Sequence, residues 1–235
     1  MLNYKKIAHL IGSSKKVTPA KLLLRGNLNE KDFSRFKFKY FGNKKFWILI
    51  GDFTLLNKWL KKNKKKVDSF HWEVTARNSA LSLADLTKFN ARIEPGAIVR
   101  TGAKIGEGCV IMMGAVINIG AVIGEKTMVD MNAVIGARAK IGKKCHIGAG
   151  SVIAGVLEPP SKRPVRIEDN VLVGANAVIL EGVKIGKKSV VAAGAVVIKN
   201  IPPGVVVAGV PAQVIKKVSD IKDKSKTEIL EELRG

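Results

Sequence analysis

Three residues in the second half of the chain could bind or move a proton, and none of them has an obvious structural task. Asp130 follows Val129 in VDMNAVIG, where neighbouring segments carry glycine, and Glu181 interrupts ILEGV in a similar way. His146, in CHIGAG, is the one histidine beyond residue 90, the others being His9 and His71. Carboxylates and an imidazole can hold or deprotonate a reacting group, and imidazole titrates near neutrality. A cationic set lies nearby: Arg138, Arg163 and Arg166, whose planar forks suit bidentate contact with anions, together with the amides of Asn118 and Asn132. Plainer readings stay open. Asp130 could cap a turn, Glu181 could be solvated, and His146 could be a surface or interface residue.

What positions these residues is a six-residue repeat. From Ile93, every sixth residue to Ile153 is Ile or Val, and the series resumes from Ile167 to Val197. Four residues after each stands a second column of mostly small side chains, such as Ala97, Cys109, Ala115, Thr127 and Ser151. A period of six excludes a helix, whose apolar face recurs at three and four. Each unit is a short strand and a turn that cannot bury its aliphatic side chain alone, so stacked coils must share one core. Cys109 and Cys145 both fall in the small column, two coils apart. At roughly 4.8 Å per coil they are about 10 Å apart, too far for a disulfide. They read as reduced core residues. His146 precedes inward Ile147 and is expected to point outward.

The repeat breaks once, between Ile153 and Ile167, where AGVLEPPSKRPVR adds eight residues to a regular unit. Pro159, Pro160 and Pro164 keep that stretch out of a sheet, and an insertion in a solenoid often marks a binding face.

Residues 1–90 differ in pattern and form an expected small α/β domain, followed by a β-helix over 91–210 and an extension over 211–235. Ile7, Leu10 and Ile11 suggest an opening helix. Lys21–Arg25 and Phe46–Ile50 suggest strands, and Leu55, Leu56, Trp59 and Leu60 a second helix. Lys222–Gly235 suggests a terminal helix with Ile229, Leu230 and Leu233 on one side. The formal charge is +22, and residues 1–90 hold 20 Lys and Arg against 6 Asp and Glu. No nucleic-acid motif accompanies the lysine run Lys61–Lys66, so a solvated helix face is the preferred reading and no nucleic-acid partner is expected. No apolar run of about 18 residues and no signal peptide is visible, so a membrane partner is not expected and a cytoplasmic location is.

RNSALSLADLTKFNARIEPGAIVR (77–100), the stretch IMMGAVINIG through VRIEDN, and VLVGANAVILEGVKIG together resemble the tetrahydrodipicolinate N-acetyltransferases of lysine and diaminopimelate biosynthesis. The likeness spans essentially the whole chain. VDMNAVIG, GVLEPP and AVILEGV make it more selective than the repeat alone. Related succinyltransferases share these segments but carry a longer helical N-terminal region. The resemblance implies a left-handed parallel β-helix, a homotrimer with intersubunit sites, and acetyl transfer from acetyl-CoA to a small-molecule acceptor. It further implies that Asp130 and Glu181 face the acceptor amine, one of them or His146 serving as base. The arginines and asparagines would then hold a dicarboxylate. Coenzyme A is expected along the C-terminal coils, near Gly155, Gly174 and Ala192, with Lys187, Lys216 and Lys217 meeting its phosphates.

No metal is expected, because a β-helix metal hydratase needs several histidines on zinc and the repeat has one. A succinyl-CoA-dependent enzyme, a serine or nucleotide-sugar acetyltransferase, and a non-catalytic scaffold remain as alternatives.

Overall fold

The six-residue period closes into a parallel β-helix. The computed structural model describes residues 3–161, 163–223, 225, 229 and 233. Two-residue strands stack into three sheets, and each strand pairs in parallel register with the strand one coil on. A first sheet runs from Arg92–Ile93 through Met128–Val129, His146–Ile147 and Val190–Val191 to Val205–Ala208, where Gln213–Lys217 adds an antiparallel edge. A second runs from Ile98–Val99 to Val196–Val197. A third runs from Lys104–Ile105 through Lys140–Ile141 and Arg166–Ile167 to Lys184–Ile185. The chain turns at a first corner between sheets one and two, a second between two and three, and a third on the way back to sheet one.

The aliphatic column fills the interior, with Ile111, Ile117, Val129, Ile135, Ile147, Ile153 and Val191 fully buried. Each such side chain contributes about 1.5–3 kcal/mol by leaving water. The small column is also buried, and its polar members are satisfied. Thr127, Ser151 and Ser189 donate their hydroxyls to the carbonyls of Gly142, Gly174 and Pro202 at 2.8–2.9 Å. Cys109 and Cys145 are buried and form no disulfide, as the spacing required. Burial pushes the Cys145 thiol up to about 11. Close stacking of coils explains the glycines. A Cβ on Gly142 would come within 2.7 Å of the Asp169 nitrogen.

A second compact unit comprises residues 11–81. After the opening helix α1 (Tyr4–Ser13), strands β1 (Pro19–Gly26), β2 (Lys39–Asn43), β3 (Phe46–Asp52) and β4 (Val67–Val74) form an antiparallel sheet in the order β2-β3-β1-β4. Helix α2 (Phe53–Asn63) starts at Asp52, whose carboxylate accepts from the Thr54 N–H at 2.9 Å. It packs Leu56, Trp59 and Leu60 with Leu22, Leu24, Trp47, Leu49 and Phe33.

The expected helices and strands of the N-terminal region are present; β2 and β4 were not visible as patterns. The compact units divide at 81/82 instead of 90. Residues 82–90 join the first coil through Ala84 N–H to the Val99 carbonyl (2.8 Å) and Thr101 N–H to the Ser82 carbonyl (3.2 Å). Residues 3–10 group with the β-helix too, where Ile7 is buried. Most of the expected terminal helix over Lys222–Gly235 lies outside the described residues. Leu233 is described, and its carbonyl accepts from Arg92 Nη2 at 2.7 Å.

Candidate active site

Asp130 leaves the first sheet at the first corner of the third coil. Its Oδ1 accepts the Met131 N–H at 2.8 Å, so it serves the turn as well as pointing a second oxygen outward. That oxygen, Oδ2, lies 3.9 Å from Nε2 of His146, which projects from the next strand of the first sheet. Both side chains are about one-quarter exposed. At that separation the two are in electrostatic contact, beyond the roughly 2.6–3.2 Å at which a proton passes directly. Asn132 occupies the same corner at φ 57°, a left-handed turn position that asparagine tolerates, which gives it a structural reason to be there.

The second corner gathers another group. Asn118 stands on the second coil, its Oδ1 engaged by Ile119 N–H at 2.7 Å and Arg100 Nη1 at 3.3 Å. Arg138 follows on the third coil, the insertion on the fourth, and Glu181 on the fifth, where it is half-buried. The insertion is anchored by buried Val156 and Val165. It folds back on itself through Ser161 N–H to the Val156 carbonyl, while Ser161 Oγ donates to the Arg163 carbonyl at 2.9 Å. Lys162 lies outside the described residues. Here Arg138, Arg163 and Arg166 converge on a cavity of about 400 Å³, walled also by Pro164, Gly182, Lys140, Lys184 and Asn200. Among the described residues no carboxylate lines it. Nη1 of Arg138 is buried without a hydrogen-bond partner among the described residues.

Asp130 and Glu181 are not brought together within one chain. They stand at opposite edges of the second sheet, two coils apart. The residues expected near coenzyme A divide as well. Gly174 and Ala192 lie at the first corner above Asp130, and Lys216 and Lys217 on the last strand of the first sheet. Lys187 is at the third corner, 3.6 Å from Asp169. Gly155 is at the second corner, where a Cβ would come within 2.9 Å of the Ala137 nitrogen; a Cβ on Gly174 would come within 2.5 Å of the Ala193 nitrogen. Coil stacking alone accounts for both glycines.

Sequence reasoning missed Lys140, Lys184 and Asn200. A signal was present. Lys140, Arg166 and Lys184 each precede an inward isoleucine, and strand pairing puts all three in one outward column of the third sheet. Reading every third repeat unit, and not every unit, would have exposed that column.

Comparison with known proteins decides the family. The chain is 63% identical over 234 residues to the 2,3,4,5-tetrahydropyridine-2,6-dicarboxylate N-acetyltransferase of Thermotoga maritima, covering 100% of this chain and 98% of that one. The chain belongs to the tetrahydropyridine-dicarboxylate N-acetyltransferase family. The proteins of the same name from Thermosipho africanus (63% over 233 residues, 99% of each chain) and Kosmotoga olearia (58% over 233 residues, 99% of each) agree. Residues 2–86 match the family described as tetrahydrodipicolinate succinyltransferase N-terminal. Residues 96–118 and 164–199 match the hexapeptide repeat of succinyl-transferase, and residues 120–155 match the bacterial transferase hexapeptide. Among solved structures, the acetyltransferase domain of PglB from Neisseria gonorrhoeae in complex with acetyl coenzyme A is 29% identical. It covers 54% of this chain and 58% of that one with a TM-score of 0.49. In this N-acetyltransferase family the insertion and the two carboxylate-bearing corners are therefore parts of an enzyme.

Proposed function

We propose that this protein transfers the acetyl group of acetyl-CoA to the amine of ring-opened tetrahydrodipicolinate, giving N-acetyl-2-amino-6-oxopimelate for lysine and diaminopimelate synthesis. The observation that carries this reading is identity of 63% over the full chain to relatives of that activity. The cavity supports it, since five cationic side chains, with no carboxylate among the described lining residues, suit an acceptor bearing two carboxylates.

The chemistry needs the amine held, stripped of a proton and aimed at the thioester carbon. The nitrogen attacks that carbon, its proton passes to a base, the C–S bond breaks, and coenzyme A leaves as the thiol. Asp130 and Glu181 hold the amine. His146, 3.9 Å from Asp130, relays the proton in this reading. The arginines at 138, 163 and 166, with Asn118 and Asn132, bind the acceptor. Gly174 and Ala192, at the first corner, line the path of the pantetheine arm, Gly155 comes from the second corner of a neighbouring copy, and Lys216 and Lys217 meet the phosphates; Lys187, at the third corner beside Asp169, stands apart from this path.

Two carboxylates at opposite edges of one sheet can serve one amine only if a second copy supplies one of them. The outward side of the second sheet is aliphatic throughout, with Ile98, Val116, Val134, Val152, Val178 and Val196 in one register column. Such a face favours association, and we infer a homotrimer with sites between subunits. No described helix is long and apolar enough to cross a membrane; the cytoplasm is the inferred location. The reading is tested by measuring thiol release from acetyl-CoA with tetrahydrodipicolinate, serine and an aminosugar nucleotide. Release with the first alone is expected. Release with another acceptor and none with tetrahydrodipicolinate overturns it.

A further inference from the structure

The cavity at the second corner holds more charge than three arginines. Lys140, Arg166 and Lys184 pair strand to strand across three successive coils, so their side chains leave the third sheet one above another. At roughly 4.8 Å per coil, the outer two backbones are about 10 Å apart, close enough for three long side chains to converge on one carboxylate. Like charges stacked in register repel. Glu168 compensates part of the column, its Oε1 lying 2.7 Å from Lys184 Nζ. The Lys184 contact holds that carboxyl below its usual range. Glu168 does not line the cavity, and the cations that do are Arg138, Lys140, Arg163, Arg166 and Lys184, with Asn200 as the amide. Arg138 Nη1 is buried and has no acceptor among the described residues. Glu181 immediately precedes Gly182 of the cavity wall. A carboxylate beside a cationic cavity matches a ligand carrying an amine at one end and carboxylates beyond it.

We propose that Lys140, Arg166 and Lys184 form an oxyanion ladder that binds the acceptor carboxylate remote from the reacting amine, and so selects dicarboxylates over monocarboxylates. The proposal rests on the acceptor assigned above. Lys140 and Lys184 are then specificity residues of the site, reached through the three-unit register of the repeat.

The test is calorimetric titration of the wild type and of a Lys140→Gln/Lys184→Gln double variant with pyridine-2,6-dicarboxylate, pyridine-2-carboxylate and coenzyme A. Losing a charged hydrogen bond costs about ten-fold or more in affinity. The wild type is expected to prefer the dicarboxylate by about ten-fold or more. The variant is expected to lose that preference while binding coenzyme A within about two-fold of wild type. A Lys140→Arg/Lys184→Arg variant, which keeps the charge, is expected to retain the preference. An unchanged dicarboxylate affinity overturns the proposal. So does a loss falling on coenzyme A instead, or an equal loss on all ligands that arginine does not rescue. Because binding is read without turnover, failure of the acetyl-transfer reading would appear separately, as absent thiol release from a wild type that still discriminates the two pyridine acids.

Discussion

Arg138→Gly separates binding from stability. Arg138 sits at φ 64°, where the corresponding corner positions of other coils are Gly102, Gly120 and Gly182. A non-glycine residue in this region costs about 1–2 kcal/mol. The buried, unpartnered Nη1 costs about 1–3 kcal/mol more. Against this, glycine adds unfolded-state freedom worth about 0.5–1 kcal/mol. The arginine stem also packs over Gly120, where an added Cβ would lie 3.3 Å from Arg138 Cγ. Losing two buried methylenes there costs about 1.6 kcal/mol. The balance is a variant about 1 kcal/mol more stable than wild type, whereas most point substitutions destabilise. Urea unfolding followed by circular dichroism, at fixed protein concentration without substrates, measures it. In parallel the KM for the acceptor should rise by about ten-fold or more. A loss of about 2 kcal/mol with an unchanged acceptor KM would show the arginine to be structural and refute the reasoning.

Asp130→Asn and Glu181→Gln should each lower kcat by about a hundred-fold or more while leaving coenzyme A binding intact, since positioned acid–base groups contribute on that scale; full turnover in both would remove these residues from the mechanism. Val134→Glu puts a charge in the middle of the outward aliphatic column of the second sheet, and sedimentation should then show a smaller species than wild type. A wild type that sediments as a monomer would contradict the intersubunit site. Cys145, with its thiol raised from 9.0 to about 11, should resist maleimide until the protein unfolds. At about pH 8 it holds about a hundred-fold less thiolate than an ordinary cysteine. A raised acid stabilises the fold below its unfolded pKa, so stability should decline between pH 9.0 and about 11 as the unfolded chain ionises first. Rapid labelling of native Cys145 near neutrality would show that its burial is wrong.

The β-helix was legible because one physical constraint repeats without relief. Each strand must turn an aliphatic side chain inward, and Ile93 to Val197 records that every sixth residue. The breaks were legible for the same reason: Asp130, Glu181 and the insertion stand out against a strict rule. The second-corner cavity was half visible. Arg138, Arg163 and Arg166 carry planar forks that point to anions, but Lys140 and Lys184 carry no such signal, because their column exists only at the spacing of a whole coil. Strands β2 and β4 were missed because Lys39–Asn43 and Val67–Val74 are mostly exposed and lack the clean alternation that a half-buried strand imprints. The boundary near residue 90 moved because residues 82–90 hydrogen-bond to the first coil outside the six-residue rule.

Label transfer tests the central claim most directly. Incubating the protein with tetrahydrodipicolinate and either acetyl-CoA or succinyl-CoA, each radiolabelled in its acyl group, asks both which acceptor and which donor it uses. Label from acetyl-CoA should move to the amine of the ring-opened acceptor, with little transfer from succinyl-CoA. Transfer from succinyl-CoA alone, or label left wholly on coenzyme A while the protein is folded and binds it, would contradict the account.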